Sequence, residues 1–511
     1  MSKLSPDTLF QLIHSLQKAE KRHFKLYVKR NSANTDLKIL RLFDVIDKQE
    51  EYDESSLLKK LPDIQKQQLS NLKSHLYKQI LSALRLLKSS DSIDLQLNEY
   101  FDYAHILYKK GLFLQSLVII ERAKQLARAN QKFNFLIPAL ALEKRIESLH
   151  ITRSSEDRAE KLSVESLEVT THIHYITLLS NLSLQLYAWY IKYGHALNEP
   201  DEKIVIKFMK ENVPAEAWKQ TGFYERLYLY QSFAWYHFIR QNFLLYYKYS
   251  QKWVDLFNED VTRKRVETGY YIKGLHYLVN AHFILHNLKK SEEVIKEFEN
   301  FALTERVQQH ENFRIQSFLY LVQGKINFYL MTGEFGKGIK LIPDAEEKIM
   351  EYGHIIDRHR VLVLNYKFAT LYFGNGDYSQ AIDYLQKIIN DPSNLRYDLQ
   401  SYARLLHLFA HLELGNHDLV THLSNSVYRF MKQRRNLTGV EEEILKFLGN
   451  KVELKGNKLK QEFEKLLEAI RTLENNRFET RAFAYFDLIS WIESKLKNKT
   501  MAEIIARKNS H

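Results

Sequence analysis

The sequence predicts an all-α protein, an α-solenoid of helical hairpins preceded by a small N-terminal helical domain, and three observations predict it. Only 16 Gly and 7 Pro punctuate the 511 residues, whereas strands need frequent turn residues and long helices joined by short loops do not. The segments between these breakers carry apolar residues at helical spacing. Turn-like residues also recur at Gly111, Ser154, Asn198, Gln241, Asn287, Gly333, Gly376, Gly415 and Gly456, at intervals of 39 to 46 residues. Such a period marks stacked repeats, and a chain this long is expected to spread its core along a stack rather than gather it into one.

The first element begins at Ser5-Pro6-Asp7, with Pro suited to a first helical turn, and Leu9, Leu12, Ile13 and Leu16 give it an apolar stripe. The stretch Lys18–Arg30 reads as a basic helix with Phe24, Leu26 and Tyr27 interleaved. Third, fourth and fifth helices are expected at Asp36–Glu50, Ser55–Leu61 and Lys66–Lys88. The last two, with Pro62-Asp63-Ile64 between them, have the outline of a helix-turn-helix whose reading face would carry Ser70, Lys73, Ser74, Tyr77 and Lys78. Residues 1–90 therefore form a basic helical bundle, which either caps the repeats or docks on nucleic acid or protein.

The repeats are expected over 94–497. Two residues after the turn stand Phe113, Phe243, Phe335 and Tyr378, and five after it stand the small residues Ser116, Ala159, Gly338 and Ala381. Seven before it come Ala104, Ala234, Ala369 and Gly449. Small residues at fixed offsets let two helices approach closely, while aromatic ones fill the space around them. Residues 498–511 are read as a C-terminal cap or frayed tail.

The clearest unit, Leu364–Pro392, places Ala369, Tyr372, Gly376-Asp377-Tyr378, Ala381, Leu385 and Pro392 as a tetratricopeptide repeat places its small, aromatic and turn residues. The chain thus resembles a degenerate tetratricopeptide-repeat protein, and the resemblance implies a right-handed α-solenoid. A small helical domain ahead of long-helix repeats also resembles the Rap-type peptide-sensing regulators of Gram-positive bacteria. Those chains are shorter, and no peptide-contacting residue of theirs is matched here. Leu12–Tyr27 and Leu69–Leu87 look more like a group of uncharacterised cytoplasmic repeat proteins of the Bacteroidota, a resemblance that brings no activity with it.

Composition narrows the chemistry. There is no Cys, which removes disulfides, thiolate metal sites and Cys nucleophiles. Met1-Ser-Lys-Leu-Ser-Pro leads into an amphipathic segment with no apolar leader, and no stretch approaches 18 uncharged apolar residues. A cytoplasmic protein without membrane contact is expected. Net charge is +12, and residues 1–90 hold 17 Lys and Arg against 10 Asp and Glu. Such a balance attracts anionic partners or simply keeps a large helical protein soluble.

Of 20 His, the pairs His282/His286 and His407/His411 have the i, i+4 spacing of helical metal ligands. Neither sits in an H-E-x-x-H motif, and both read as core or groove residues, while His172 and His174 point apart on a helix. Gly333-Glu334-Phe335-Gly336-Lys337-Gly338 looks like a phosphate loop, but it lacks the G-x-x-x-x-G-K-[ST] order and falls on a repeat turn. Glu441-Glu442-Glu443 and Glu292-Glu293 read as solvated faces. No catalytic constellation, metal site or cofactor is predicted, so the chain is expected not to be an enzyme.

The expectation is a scaffold or adaptor that holds a protein or peptide in the solenoid groove. Tyr224–Phe257 is dense in aromatic residues, the types that dominate binding hot spots. Within it Tyr228, Trp235, Tyr246, Lys248, Lys252 and Trp253 are the candidate partner contacts, the lysines favouring an acidic segment. The alternative is a transcription-type regulator that contacts nucleic acid through Lys21, Arg22, Lys25, Lys73 and Lys78 and uses the solenoid as sensor.

Overall fold

Every regular element among the described residues is helical, as chain-wide low Gly and Pro require. The computed structural model describes residues 8–30, 34–88, 92–150, 157–353, 355–392, 396–434, 437–450, 454, 456–474 and 476–510. The expected helix start at Ser5-Pro6-Asp7 and the expected turn at Ser154 lie outside them. None of the described helices is long and apolar enough to cross a membrane. The chain divides into two compact units, 1–170 and 171–511, whereas the sequence placed its boundary near residue 90.

The first unit contains two separate cores. Helices Thr8–Ser15, Lys18–Arg30, Asn34–Asp47, Glu54–Lys60 and Lys66–Lys88 enclose Leu9, Ile13, Phe24, Phe43, Ile46, Leu76 and Ile80. Asp53 starts the short fourth helix by accepting from the Ser55 amide. The second core, with Ala104, Ile120, Ala139, Leu142 and Ile146, comes from the hairpin Ile93–Lys109/Phe113–Ala129 and the helix Phe133–Leu149. Gly111 takes the left-handed conformation (φ 77°) that lets the hairpin turn. Across it the Ser116 hydroxyl donates to the Ala104 carbonyl at 2.8 Å. The two small residues picked out by their offsets are thus in contact.

The second unit is a run of hairpins. Phe223–Ile239/Phe243–Glu259, Thr268–Ile284/Leu288–Ala302, Arg358–Asn375/Tyr378–Ile389, Tyr397–Glu413/His417–Gln433 and Gly439–Asn450/Asn457–Glu474 follow one another. In the hairpin that starts with Glu311–Thr332, the second arm is broken into Phe335–Ile339 and Ile342–Glu351. Left-handed residues sit at Gln241, His286, Gly333, Gly376, Gly415 and Gly456, so the turn register holds, with His286 in the place expected of Asn287. Phe113, Phe243, Phe335 and Tyr378 are each the first residue of their helix. Gly338 and Ala381 are buried at the hairpin contact. A Cβ on Gly338 would come within 2.5 Å of Leu371 Cδ2, so that glycine belongs to packing and not to a phosphate loop.

Three expectations need correction. Residues between the turns at 154 and 198 do not divide into two arms but form one continuous helix, Arg158–Tyr193, whose sequence contains neither Gly nor Pro. Ala159, read as a close-contact residue, is exposed on it. His286 lies beyond the end of Thr268–Ile284 in the left-handed turn, and so does not share a helix face with His282.

The chain's last helix, Met501–Asn509, opens on a capping box made by Thr500 and Glu503. It packs on the Gly333 turn, and Asn509 Nδ2 donates to the Met331 carbonyl at 2.8 Å. Contacts in the second unit also reach far along the chain. Arg477 pairs with Glu202, which in turn holds Arg240 Nε at 2.7 Å, and Tyr366 donates to the Tyr485 carbonyl at 3.3 Å. Repeats that met only their neighbours would make no such ties.

Candidate functional site

Two places in the second unit gather aromatic and cationic side chains. The first is an exposed face. Trp218, in the short turn Ala217–Lys219, is 51% exposed and leans on Phe233 and Tyr249, with ring centroids 4.9 and 6.3 Å away. Phe233 and His237 each stack on Tyr249, at 4.9 and 5.4 Å. The Lys252 ammonium lies over the Tyr230 and Tyr249 rings at 5.4 and 5.9 Å. Leu244 and Lys248, both exposed, precede Lys252 at four-residue spacing on helix Phe243–Glu259, which puts all three on one face.

The second is a cavity of about 470 Å³. Its wall draws on the first arms of successive hairpins: Trp235 and Phe238, then His276, Tyr277 and Asn280, then Tyr320 and Gln323, then Arg360 and Lys367. Tyr187, Tyr190, His195, Asp357, Arg396 and Tyr485 also line it. The rings of Tyr190 and Tyr277 lie 5.4 and 5.3 Å from Trp235, and Tyr246 donates to the Tyr277 carbonyl at 3.2 Å.

Local structure places the charges. Asp357 caps helix Arg358–Asn375 by accepting from the Arg360 amide at 3.0 Å, and the same carboxylate takes Arg360 Nε at 2.8 Å. Arg360 Nη2 also donates to the Tyr320 hydroxyl at 3.0 Å. Arg396 caps helix Tyr397–Glu413 in a left-handed conformation (φ 53°), a strained state for a residue with a Cβ. Its guanidinium makes a two-pronged pair with Asp398, both contacts at 2.8 Å, and donates to the Tyr485 hydroxyl at 2.8 Å. Burial opposes the Asp398 charge, but Arg396 and Tyr485 outweigh it and hold this carboxyl well below its ordinary range.

Two cations in this region have no carboxylate. Lys367 donates to the Asn327 side-chain oxygen and lies 5.4 Å from the Phe283 ring centroid. Lys273 reaches over Tyr187 and Tyr277, at 5.5 and 5.8 Å, and forms no ion pair among the described residues. Burial, aided by Arg396 for Lys367 and by Arg360 for Lys273, pushes both amines down to about 8. His276, stacked on Tyr320 at 3.9 Å, is pushed down to about 3 by burial and then by Arg360, Lys367 and Lys273. All three cations therefore act on the same ring. Burial also lowers His195 and His359 to about 4, so His195 is neutral and its Nδ1–H donates to the Phe238 carbonyl at 2.8 Å.

The partner contacts expected from sequence divide among these places. Trp235 and Tyr246 belong to the cavity wall. Lys248 and Lys252 belong to the exposed face. Trp253 is 0% exposed, in the core near Tyr277, and Tyr228 is half-buried with its hydroxyl 2.7 Å from that of Tyr270. Sequence reasoning missed Lys273, His276, Arg360, Lys367 and Arg396. A usable signal was present: Lys273, His276, Tyr277 and Asn280 fall at i, i+3, i+4 and i+7, and Arg360, Val363, Lys367 and Thr370 fall at i, i+3, i+7 and i+10 on another hairpin, each set on one helix face.

In the first unit the basic residues line two open grooves. Lys73 and Lys78 share one with Lys66, Ser70, Ser74 and Tyr77. Lys21, Arg22 and Lys25 share the other with Lys18 and Lys29. Intramolecular partners already engage several of them: Lys21 with Asp47 at 2.5 Å, Lys25 with Asp44 at 2.6 Å, and Lys73 with the Tyr52 hydroxyl at 2.6 Å. Among the described residues no group of three or more His, Asp and Glu side chains is arranged to hold a metal ion. The His407 and His411 rings do meet, with centroids 4.5 Å apart. No protein-family model matches the chain, and no curated protein matches it.

Proposed function

We propose that this chain is a non-catalytic binding protein, a tetratricopeptide-like right-handed α-solenoid in the cytoplasm that holds a protein or peptide partner. The observation that carries this reading is the exposed face of Trp218, Tyr230 and Tyr249 with Lys248 and Lys252 beside it. Rigid aromatic side chains left in solvent next to cations are the residue types that anchor interfaces, and the lysines suit an acidic segment of the partner. The recurrent hairpins support the repeat reading, because each offers a second arm whose outer side can serve as a docking surface.

Affinity capture from the native cell tests it, comparing the wild type with Trp218→Ala/Tyr249→Ala. Both rings are partly in solvent, so the variant is expected to stay folded, with its helical content kept and its melting temperature lowered by the stacking of Tyr249 on Phe233 and His237 that is lost. A specific protein retained by the wild type is expected to drop by tenfold or more, about 1.4 kcal/mol. Equal capture by the folded variant overturns the assignment of this face.

A second reading is supported by the groove of Lys18, Lys21, Arg22, Lys25 and Lys29, in which Asp47 is the one acidic wall residue. Here the first unit contacts nucleic-acid phosphates. Duplex binding would then weaken with salt, and removing Arg22 and Lys29 together would lower the logarithmic salt slope by about 2. A slope unchanged in Arg22→Ala/Lys29→Ala would remove this reading.

A further inference from the structure

The cavity calls for an occupant of different chemistry from the partner just described. Its 470 Å³ falls in the range of small-molecule sites. Its walls come from residues as distant as Tyr187 and Tyr485, and the Arg396–Asp398–Tyr485 cluster and the Arg477–Glu202 pair tie those distant segments together. Arg360, Lys367 and Arg396 line the cavity, Lys273 lies over its Tyr187 and Tyr277 rings, and two carboxylates stand beside these four cations. Asp357 is spent on Arg360 and Asp398 on Arg396, which leaves the ammonium groups of Lys273 and Lys367 without counter-charge. Burying an unpaired charge is costly, and methionine would fill either position without that cost. An anion in the cavity reduces the imbalance, because Lys367 and Arg360 both stand in its wall. The remaining surface is aromatic and suits a flat, apolar body.

We propose that this cavity binds a small organic anion, its flat apolar body against Tyr190, Trp235 and Tyr277 and its carboxylate or phosphate facing Lys367 and Arg360, with Lys273 near by over the Tyr187 and Tyr277 rings. The two anionic groups share the chemistry of recognition, charge-assisted donation from ammonium and guanidinium. Neither the exposed aromatic face nor its partner is involved, so this site stands or falls separately.

The test is thermal shift and titration calorimetry of the full chain with indole-3-acetate, phenyl phosphate, the uncharged indole-3-acetamide and hexaglutamate. At least one of the two aromatic anions is expected to raise the melting temperature and to bind about tenfold or more tightly than the amide, a difference of about 1.4 kcal/mol. Whichever of them responds identifies the preferred anionic group. Lys367→Met is expected to lose the preference for anion over amide, and Lys273→Met to weaken it. The acid–amide comparison on wild-type protein holds even if a variant fails to fold. Equal binding of acid and amide, an anion preference that survives both substitutions, or no response to either anion overturns the proposal. Binding of hexaglutamate alone also overturns it and gives the cavity to a peptide.

Discussion

At the scale of single residues, a left-handed glycine is harder to replace where its missing Cβ would also meet a neighbour. Gly376 (φ 87°) has nothing within 4 Å of that position, whereas at Gly333 (φ 73°) the Ala502 carbonyl oxygen lies 3.1 Å away and Ile505 Cβ 3.2 Å away. Gly376→Ala should therefore cost the conformational strain alone, about 1 kcal/mol. Gly333→Ala should cost about 2–3 kcal/mol, because helix Met501–Asn509 must move as well. Urea midpoints of the two variants measure the difference, and equal losses would mean that the last helix does not press on this turn. Both glycines are legible in sequence as turns. What presses on Gly333 is not, because Ala502 is far along the chain and no local pattern links the two.

At the scale of elements, legibility follows the range of the interaction. Hairpin turns and first-turn aromatics are local devices, and so Gly111, Gly376, Phe243 and Tyr378 announce themselves. The N-terminal helices Lys18–Arg30 and Lys66–Lys88 match their expected bounds, since apolar spacing within a single helix suffices to define them. Arg158–Tyr193 was misread because an average interval was carried across a stretch that contains no breaker. Absence of Gly and Pro over that span was the better guide. The candidate site was read less well. Aromatic density pointed to Tyr224–Phe257, but in helices apolar on most sides, density does not tell core from cavity or surface. Trp253 went to the first, Trp235 to the second, and the ring of Tyr249 to the third. The cations of the cavity went unnoticed because each hairpin supplies only one or two, and their convergence is a property of the stacked first arms.

At the scale of the whole molecule, buried titratable groups set how stability varies with pH. Burial holds His195, His237, His359 and His407 at about 4 and His276 at about 3, against an ordinary value near 6.5. The unfolded chain therefore takes up protons as pH falls below about 6.5 while the folded chain does not. The stability these neutral rings contribute is fully present above that pH and is lost as it falls toward 4. Between pH 7 and 5 the buried rings of His195 and His237 each contribute on the order of 1–2 kcal/mol, and the half-buried His276, His359 and His407 contribute less. Lys367 of the cavity and its neighbour Lys273 act at the other end. Lys273 and Lys367, held near 8, penalise the folded state while charged, and that penalty eases as pH rises from about 8 toward the ordinary value near 10.4. The melting temperature should thus fall clearly from pH 7 to 5 and rise modestly from pH 7 to 9. His276→Phe keeps a flat ring on Tyr320 and removes one titrating group, so its melting temperature should fall less steeply below pH 6.5. Scanning calorimetry of the two chains from pH 5 to 9 decides it. Parallel profiles would mean that His276 takes up its proton in the folded protein over the same pH range as in the unfolded chain, and hence that the cations around it are answered by negative charge already bound.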